Sequence, residues 1–236
     1  PGLWRDMLRI GLPSGGEFAL MSVYIVLVYD IIRPFGAAAQ AGFGIGARVM
    51  QALFLPTVAI AFATGPVVGQ NFGARMGDRV RGAFRAGASM SSAVMITLMI
   101  LCHIAPAAMV RAFNTDPQVV SYGADYLRIT SWNFLASGLV FVSASVFQGM
   151  GHTLPSLGAS ALRLILFAGP AYYMAHRPGF DLTDVWRLGV FAVLVQLVVS
   201  LTLLHREFDR RLRFGGAGAK KAASEQETVV PEIPGV

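Results

Sequence analysis

Two carboxylates, Glu17 and Asp30, stand in a largely apolar stretch running from Leu12 to Ile32. A carboxylate in hydrocarbon is costly unless it is paired or hydrated, and the chemistry it supports there is reversible uptake of a proton or a metal cation. Glu17 lies four residues past Pro13, and Tyr24, seven residues further on, shares its helical face and could shape a cavity beside it. A competing reading places Glu17 in the first turn of a helix, where the macrodipole stabilises a negative charge at the membrane interface. Asp30, nearer the other end of the run, is the second candidate for cation coupling; with Arg33 it also has the spacing of a helix-surface ion pair. Arg163, eight residues past Pro155 and so about 12 Å along a helix, can snorkel or serve an interhelical carbonyl or carboxylate.

Uncharged polar groups add a second set. Gln51, Asn133, Gln148 and Gln196 fall within or near apolar runs, where each must find a partner or face water. Asn133 and Ser137 share one turn with Trp132 nearby, an arrangement suited to a cavity wall that holds a flat aromatic cation. A tryptophan at a membrane interface is the other reading. With Tyr24 and Gln51 these residues form the expected substrate cavity.

Soluble catalysis finds no support. The histidines His103, His152, His176 and His205 are scattered, Cys102 is the only cysteine, and no metal-ligand spacing is present. Gly42-Phe43-Gly44-Ile45-Gly46 lacks the spacing and the preceding strand of a dinucleotide fingerprint and reads as close helix packing. No metal, cofactor or enzymatic role is expected.

The elements that must position these groups are membrane helices. Of 236 residues 55% are hydrophobic and 14% charged, and the mean hydropathy is +0.59. Runs of roughly 20 apolar residues cross a bilayer, and Pro, Gly and charge divide the chain into runs near 12–32, 38–69, 83–105, 126–148, 154–176 and 185–205. The expected fold is all-α, a polytopic bundle of six transmembrane helices over residues 1–206. Pro13 and Pro155 each read as first-turn prolines, whereas Pro56 and Pro66 fall inside the second run and predict a tilt or bend. Between the third and fourth runs, Pro106 to Ala124 reads as a short interfacial helix broken at Pro117.

Arg and Lys cluster on one side of this topology: Arg5, Arg9, Arg75, Arg79, Arg81 and Arg85, then Arg206, Arg210, Arg211, Arg213, Lys220 and Lys221. The other side carries Arg33, Arg111, Arg128, Arg177 and Arg187, so both termini are expected in the cytoplasm. The net charge of +6 therefore reports topology and contact with anionic lipid, not nucleic acid. Residues 207–236 are expected to form a cytoplasmic tail, largely disordered from about Gly215. The chain opens on Pro1 without a charged n-region, so the first run is expected to belong to the mature fold. Arginine-rich, alanine-rich usage suggests a GC-rich bacterial genome and an inner membrane.

Gly65, Gly69 and Gly73 recur every four residues on one face, which lets another backbone come close. They lead into Val68-Gly69-Gln70-Asn71-Phe72-Gly73-Ala74, followed by Asp78-Arg79-Val80-Arg81. This resembles the signature after the second helix of each lobe in the MATE family, multidrug and toxic compound extrusion transporters. Pro13, the stretch Ala38 to Gly46, Phe147-Gln148-Gly149-Met150-Gly151-His152-Thr153-Leu154-Pro155-Ser156, Arg163 and Pro170 extend the resemblance over about 10–206.

The resemblance implies one lobe, the C-terminal one, of a twelve-helix transporter whose N-terminal six-helix lobe would be a partner. It further implies an antiporter exporting organic cations against H⁺ or Na⁺, with substrate held between lobes. Ser137 stands where some members place an aspartate. Two alternatives stay open: a flippase of lipid-linked oligosaccharides, for which Arg48 and Arg163 are the cations inside the spans, and a non-transporting membrane scaffold.

Overall fold

The computed structural model describes residues 2–177 and 179–212, and among residues 2–9 only the side chains of Trp4, Met7 and Leu8. Arg5, Arg9, Arg213, Lys220, Lys221 and the tail beyond residue 212 lie outside the described side chains. The described chain is helical throughout: α1 Gly2–Ile32, α2 Ala37–Gly73, α3 Gly77–Ile104, α4 Pro106–Arg111, α5 Pro117–Thr130, α6 Asn133–Gly149, α7 Leu154–Ala175 and α8 Leu182–Arg211. A 3-10 turn, Arg33–Phe35, joins α1 to α2. Five helices are long and apolar enough to cross a membrane, and the count is six if α5 and α6, bent by 58° at their junction, form one span.

Local chemistry sets the boundaries. Asp116 caps α5: its side chain accepts from the Gln118 and Val119 amides at 2.8 and 3.4 Å, and Pro117 fills the first position, where no N–H is needed. Pro155 serves α7 in the same way. The α6–α7 turn closes through Gly151 at φ 70°, and Arg75 turns α2 into α3 at φ 59°, a left-handed conformation that costs a side-chain-bearing residue more than glycine.

Several sequence expectations need correction. Helix α1 starts at Gly2, so Pro13 is an interior proline, and Glu17 lies far from the first turn, beyond the reach of the helix dipole. Thr153 and Ser14 both donate to the Ile10 carbonyl, at 3.4 and 3.0 Å, within one turn of the amide that Pro13 lacks. The fourth run, read as a span over 126–148, is broken at Ser131–Trp132 and begins inside α5. Helix α8 continues to Arg211 with Glu207 and Phe208 buried, so residues 207–212 pack with the bundle and are not tail. The second run is one continuous helix, α2, with Pro56 and Pro66 inside it. At 1.5 Å per residue its 37 residues reach about 55 Å, well beyond the hydrocarbon thickness.

The bundle is organised around α2, which packs on α3, α5 and α6, while α6 also contacts α3 and α8. Where α2 crosses α6 the backbones nearly touch. A Cβ on Gly149 would lie 2.5 Å from the Gly65 carbonyl oxygen and 2.9 Å from Val68 Cγ1, and one on Gly69 would lie 3.2 Å from the Gly149 carbonyl. Ser145 hydrogen-bonds the Ala61 carbonyl across the same interface. The Gly42–Gly46 stretch has a similar role: a Cβ on Gly46 would meet the Tyr126 ring at 2.5 Å, and one on Gly42 would meet Tyr122 Cβ at 2.7 Å. Phe43 stacks on Trp186, centroids 5.5 Å apart, with Tyr126 edge-on to both. Helices α1 and α7 form an outer pair, with α7 on α8. Phe18, Val26, Ile165 and Tyr172 point outward, as lipid-facing residues do.

The α2–α6 crossing generates a direct test. Gly149→Ala forces backbone against backbone and is expected to cost about 1–3 kcal/mol, read as a lower melting temperature of the purified full-length protein in detergent. Gly73→Ala, where no atom lies within 4 Å, is expected to melt like the parent. Equal melting of the two variants would refute the close crossing.

Candidate functional site

Helices α1 and α7 run parallel, and their contacts advance together. Gly16 faces Leu157, Glu17 faces the Ser156 hydroxyl, and seven residues later on both helices the Arg163 guanidinium lies over the Tyr24 ring at 5.2 Å. Tyr24 also packs on Phe167 with centroids 4.7 Å apart. Helix α8 closes the third side. Gln196 Nε2 donates to Ser160 Oγ at 3.1 Å, and Gly189 leaves room for the Tyr24 hydroxyl, which a Cβ there would approach to 3.3 Å. Ser156, Ser160 and Arg163 recur at i, i+4 and i+7, one face of α7. Five polar groups that sequence spacing left separate thus line a single α1–α7–α8 seam, together with Tyr24.

Neither charge in this seam is neutralised by a side chain. Glu17 is half-buried and has no ion pair among the described residues. Arg163 likewise makes no ion pair or hydrogen bond among them, and its Nε is buried without an acceptor. The two are one seven-residue step apart, about 10 Å along the helices, and form no ion pair with each other. The seam therefore offers an acidic and a basic station with open valences.

The other expected site residues fall elsewhere. Asp30 and Arg33 are exposed and unpaired among the described residues, because α1 ends at Ile32 and the i, i+3 geometry is lost. The four cavity candidates stand on three helices, α1, α2 and α6. Tyr24 belongs to the seam, Gln51 is exposed on α2, Ser137 is half-buried on α6, and Asn133, 5% exposed, sits at the α5–α6 break. At that break His103 Nδ1 lies 2.9 Å from the Met99 carbonyl and 3.4 Å from Ser131 Oγ, and its ring meets Trp132 edge-on at 5.0 Å. His103 Nε2, Thr130 Oγ1 and Asn133 Oδ1 are buried there without partners. No proline or glycine marks the break, so sequence reading missed it. Among the described residues no cluster of three or more His, Cys, Asp or Glu could hold a metal.

The motif residues lie at the opposite end of the bundle. Gln70, Gly73, Ala74 and Arg79 are exposed around the α2–α3 turn, and Gln148 is half-buried; Asn71 Nδ2 donates to the Val67 carbonyl at 2.8 Å. The α6–α7 turn is pinned to α8. Glu207, 8% exposed, accepts from Arg211 Nε at 2.7 Å and lies 2.8 Å from His152 Nδ1, while Arg211 also reaches the Met150 carbonyl at 3.4 Å. Arg81 and His205 meet Asp209 beside it. This cluster holds the start of α7, and with it Ser156 and Arg163, in register against α8.

Comparison with known proteins gives the architecture its relatives. The MatE family model matches residues 13–174. A Thermotoga maritima protein described as a probable multidrug resistance protein, NorM, is 25% identical over 227 residues, covering 95% of this chain and 47% of the relative. A Shewanella oneidensis FAD transporter is 25% identical over 171 residues, covering 71% and 37%. The solved outward-facing structure of a multidrug resistance MATE family transporter superposes with a TM-score of 0.84 at 20% identity, over 91% of this chain and 48% of its own. The chain spans about half the length of the relatives it matches most fully.

The pinned turn yields a prediction. Glu207→Ala strands Arg211 and His152 and is expected to cost about 2 kcal/mol. Hydrogen exchange should quicken at residues 150–157 while α2 and α3 keep their protection. Unchanged exchange in that turn would show that Glu207 does not hold it.

Proposed function

Because this chain belongs to the MatE family of transporters, we propose that the protein containing it is a secondary transporter. It exports organic compounds, cationic drugs among them, in exchange for H⁺ or Na⁺, and this chain supplies its C-terminal lobe. Both termini of the chain lie in the cytoplasm and the protein spans a bacterial inner membrane. Substrate is held between this lobe and an N-terminal partner lobe that rocks against it.

One observation carries the reading: Glu17 lies inside a membrane-spanning helix, past its first turn, with no basic side chain paired to it among the described residues. A carboxylate in that position is met by water, a proton or a mobile cation. Alternation between the last two and release into the cleft couples ion entry to substrate exit. The Ser156 hydroxyl faces the carboxylate from α7. The Shewanella relative named for FAD, a molecule with a pyrophosphate, supports a substrate range wider than simple cations.

The test is transport by the full-length protein. Glu17→Gln, expressed at parental level in efflux-deficient bacteria, is expected to lower energy-dependent exclusion of a fluorescent cationic dye about tenfold or more, within the range that general acid–base groups contribute. Glu17→Asp should retain part of it. Parental rate and pH dependence in Glu17→Gln would exclude this residue from coupling.

A further inference from the structure

The unneutralised charge that ion coupling does not use is Arg163. A guanidinium carries five N–H donors in one plane, and no protein oxygen accepts any of them among the described residues. The Tyr24 ring covers one face, which leaves the in-plane edge free. Nε is enclosed, while the side chain as a whole is half-buried, so the group keeps an open side. Glu17 stands a full seven-residue step away, Ser160 takes the Gln196 amide, and the Tyr24 hydroxyl points toward Gly189. An arginine in a membrane span without a counter-charge is expensive, and a stacked planar fork is suited to one partner, a bidentate oxyanion.

We propose that Arg163, backed by Tyr24, binds a phosphate group of an amphiphilic ligand in the α1–α7–α8 seam. The Tyr24 ring beside the guanidinium restricts its rotation, so that two oxygens of the ligand meet two parallel donors. Phe167, fully buried beneath Tyr24, backs the ring that faces the guanidinium. A seam with an acidic station about 10 Å from this basic one also suits a ligand carrying a second, cationic end. The proposal rests on the reading that the seam faces the substrate path, but binding can be measured without transport. Loss of coupling in Glu17→Gln and loss of binding at Arg163 are thus separate results.

The phosphate could belong to a lipid or to a soluble compound, and two probes separate these sources. The full-length protein, purified in non-ionic detergent, is titrated with dihexanoyl phosphatidylglycerol and with phenyl phosphate, with dihexanoylglycerol, which has the same chains and no phosphate, as the control. At least one of the two anionic probes is expected to bind. Its affinity should fall about tenfold or more in Arg163→Gln, the value of a charge-assisted hydrogen-bond pair, and about threefold in Arg163→Lys, which keeps the charge without the fork. Phosphatidylglycerol alone binding assigns a lipid headgroup; phenyl phosphate binding assigns a soluble substrate. The proposal is overturned if neither anion binds the parent protein, or if Arg163→Gln binds both as the parent does. If that variant does not fold, phenylglyoxal labelling of Arg163 in the parent, read by mass spectrometry, decides instead: the bound anion must slow it, and unslowed labelling overturns the assignment.

Discussion

Contact between two backbones, α2 and α6, sets the geometry of everything beside it. With no side chain on Gly65, Gly69 or Gly149, the two helices meet at carbonyl distance, and the Ser145 hydroxyl bonds the Ala61 carbonyl across the join. In lipid, where burial of apolar surface gives no net drive between helices, such close packing and interhelical hydrogen bonding carry association. Helix α6 is then fixed against α3 and α8. Its end determines where the chain turns through Gly151 and where α7 begins, and the α1–α7–α8 seam inherits its register from that turn.

The two ends of the bundle are built by different chemistry. At one end Phe43, Tyr126 and Trp186 interlock around glycines that admit them, a dry and tightly packed layer. At the other, Glu207, Arg211, His152, Asp209 and Arg81 form charged contacts among partly exposed side chains, strong where Glu207 is buried and weak at the surface. The seam charges lie between these layers.

Much of the framework was legible in the sequence because its signals are local. Glycines at every fourth position announced a close crossing, Pro155 announced a helix start, and apolar run lengths announced spans. The site was less legible, since it depends on which helices touch and at what offset. Pro13 has the local surroundings of a first-turn proline; only the eleven helical residues upstream make it an interior one. Arg163 read as an anchor because nothing in sequence links it to Tyr24, 139 positions away. The α5–α6 break escaped notice because Ser131 and Trp132 carry no breaker, and the contacts made there are tertiary: His103 of α3 meets both residues.

Equal intervals on α1 and α7 have a consequence for how this pair can vary. Glu17 to Tyr24 and Ser156 to Arg163 are each seven residues, so both rungs of the ladder form together or fail together. The lipid-facing residues inside those intervals, such as Phe18 and Met21, can change type freely while the rungs persist. A single inserted residue would instead turn one rung by about 100° away from its partner. What these two helices conserve physically is phase: the count of residues between stations matters more than the identity of most residues counted.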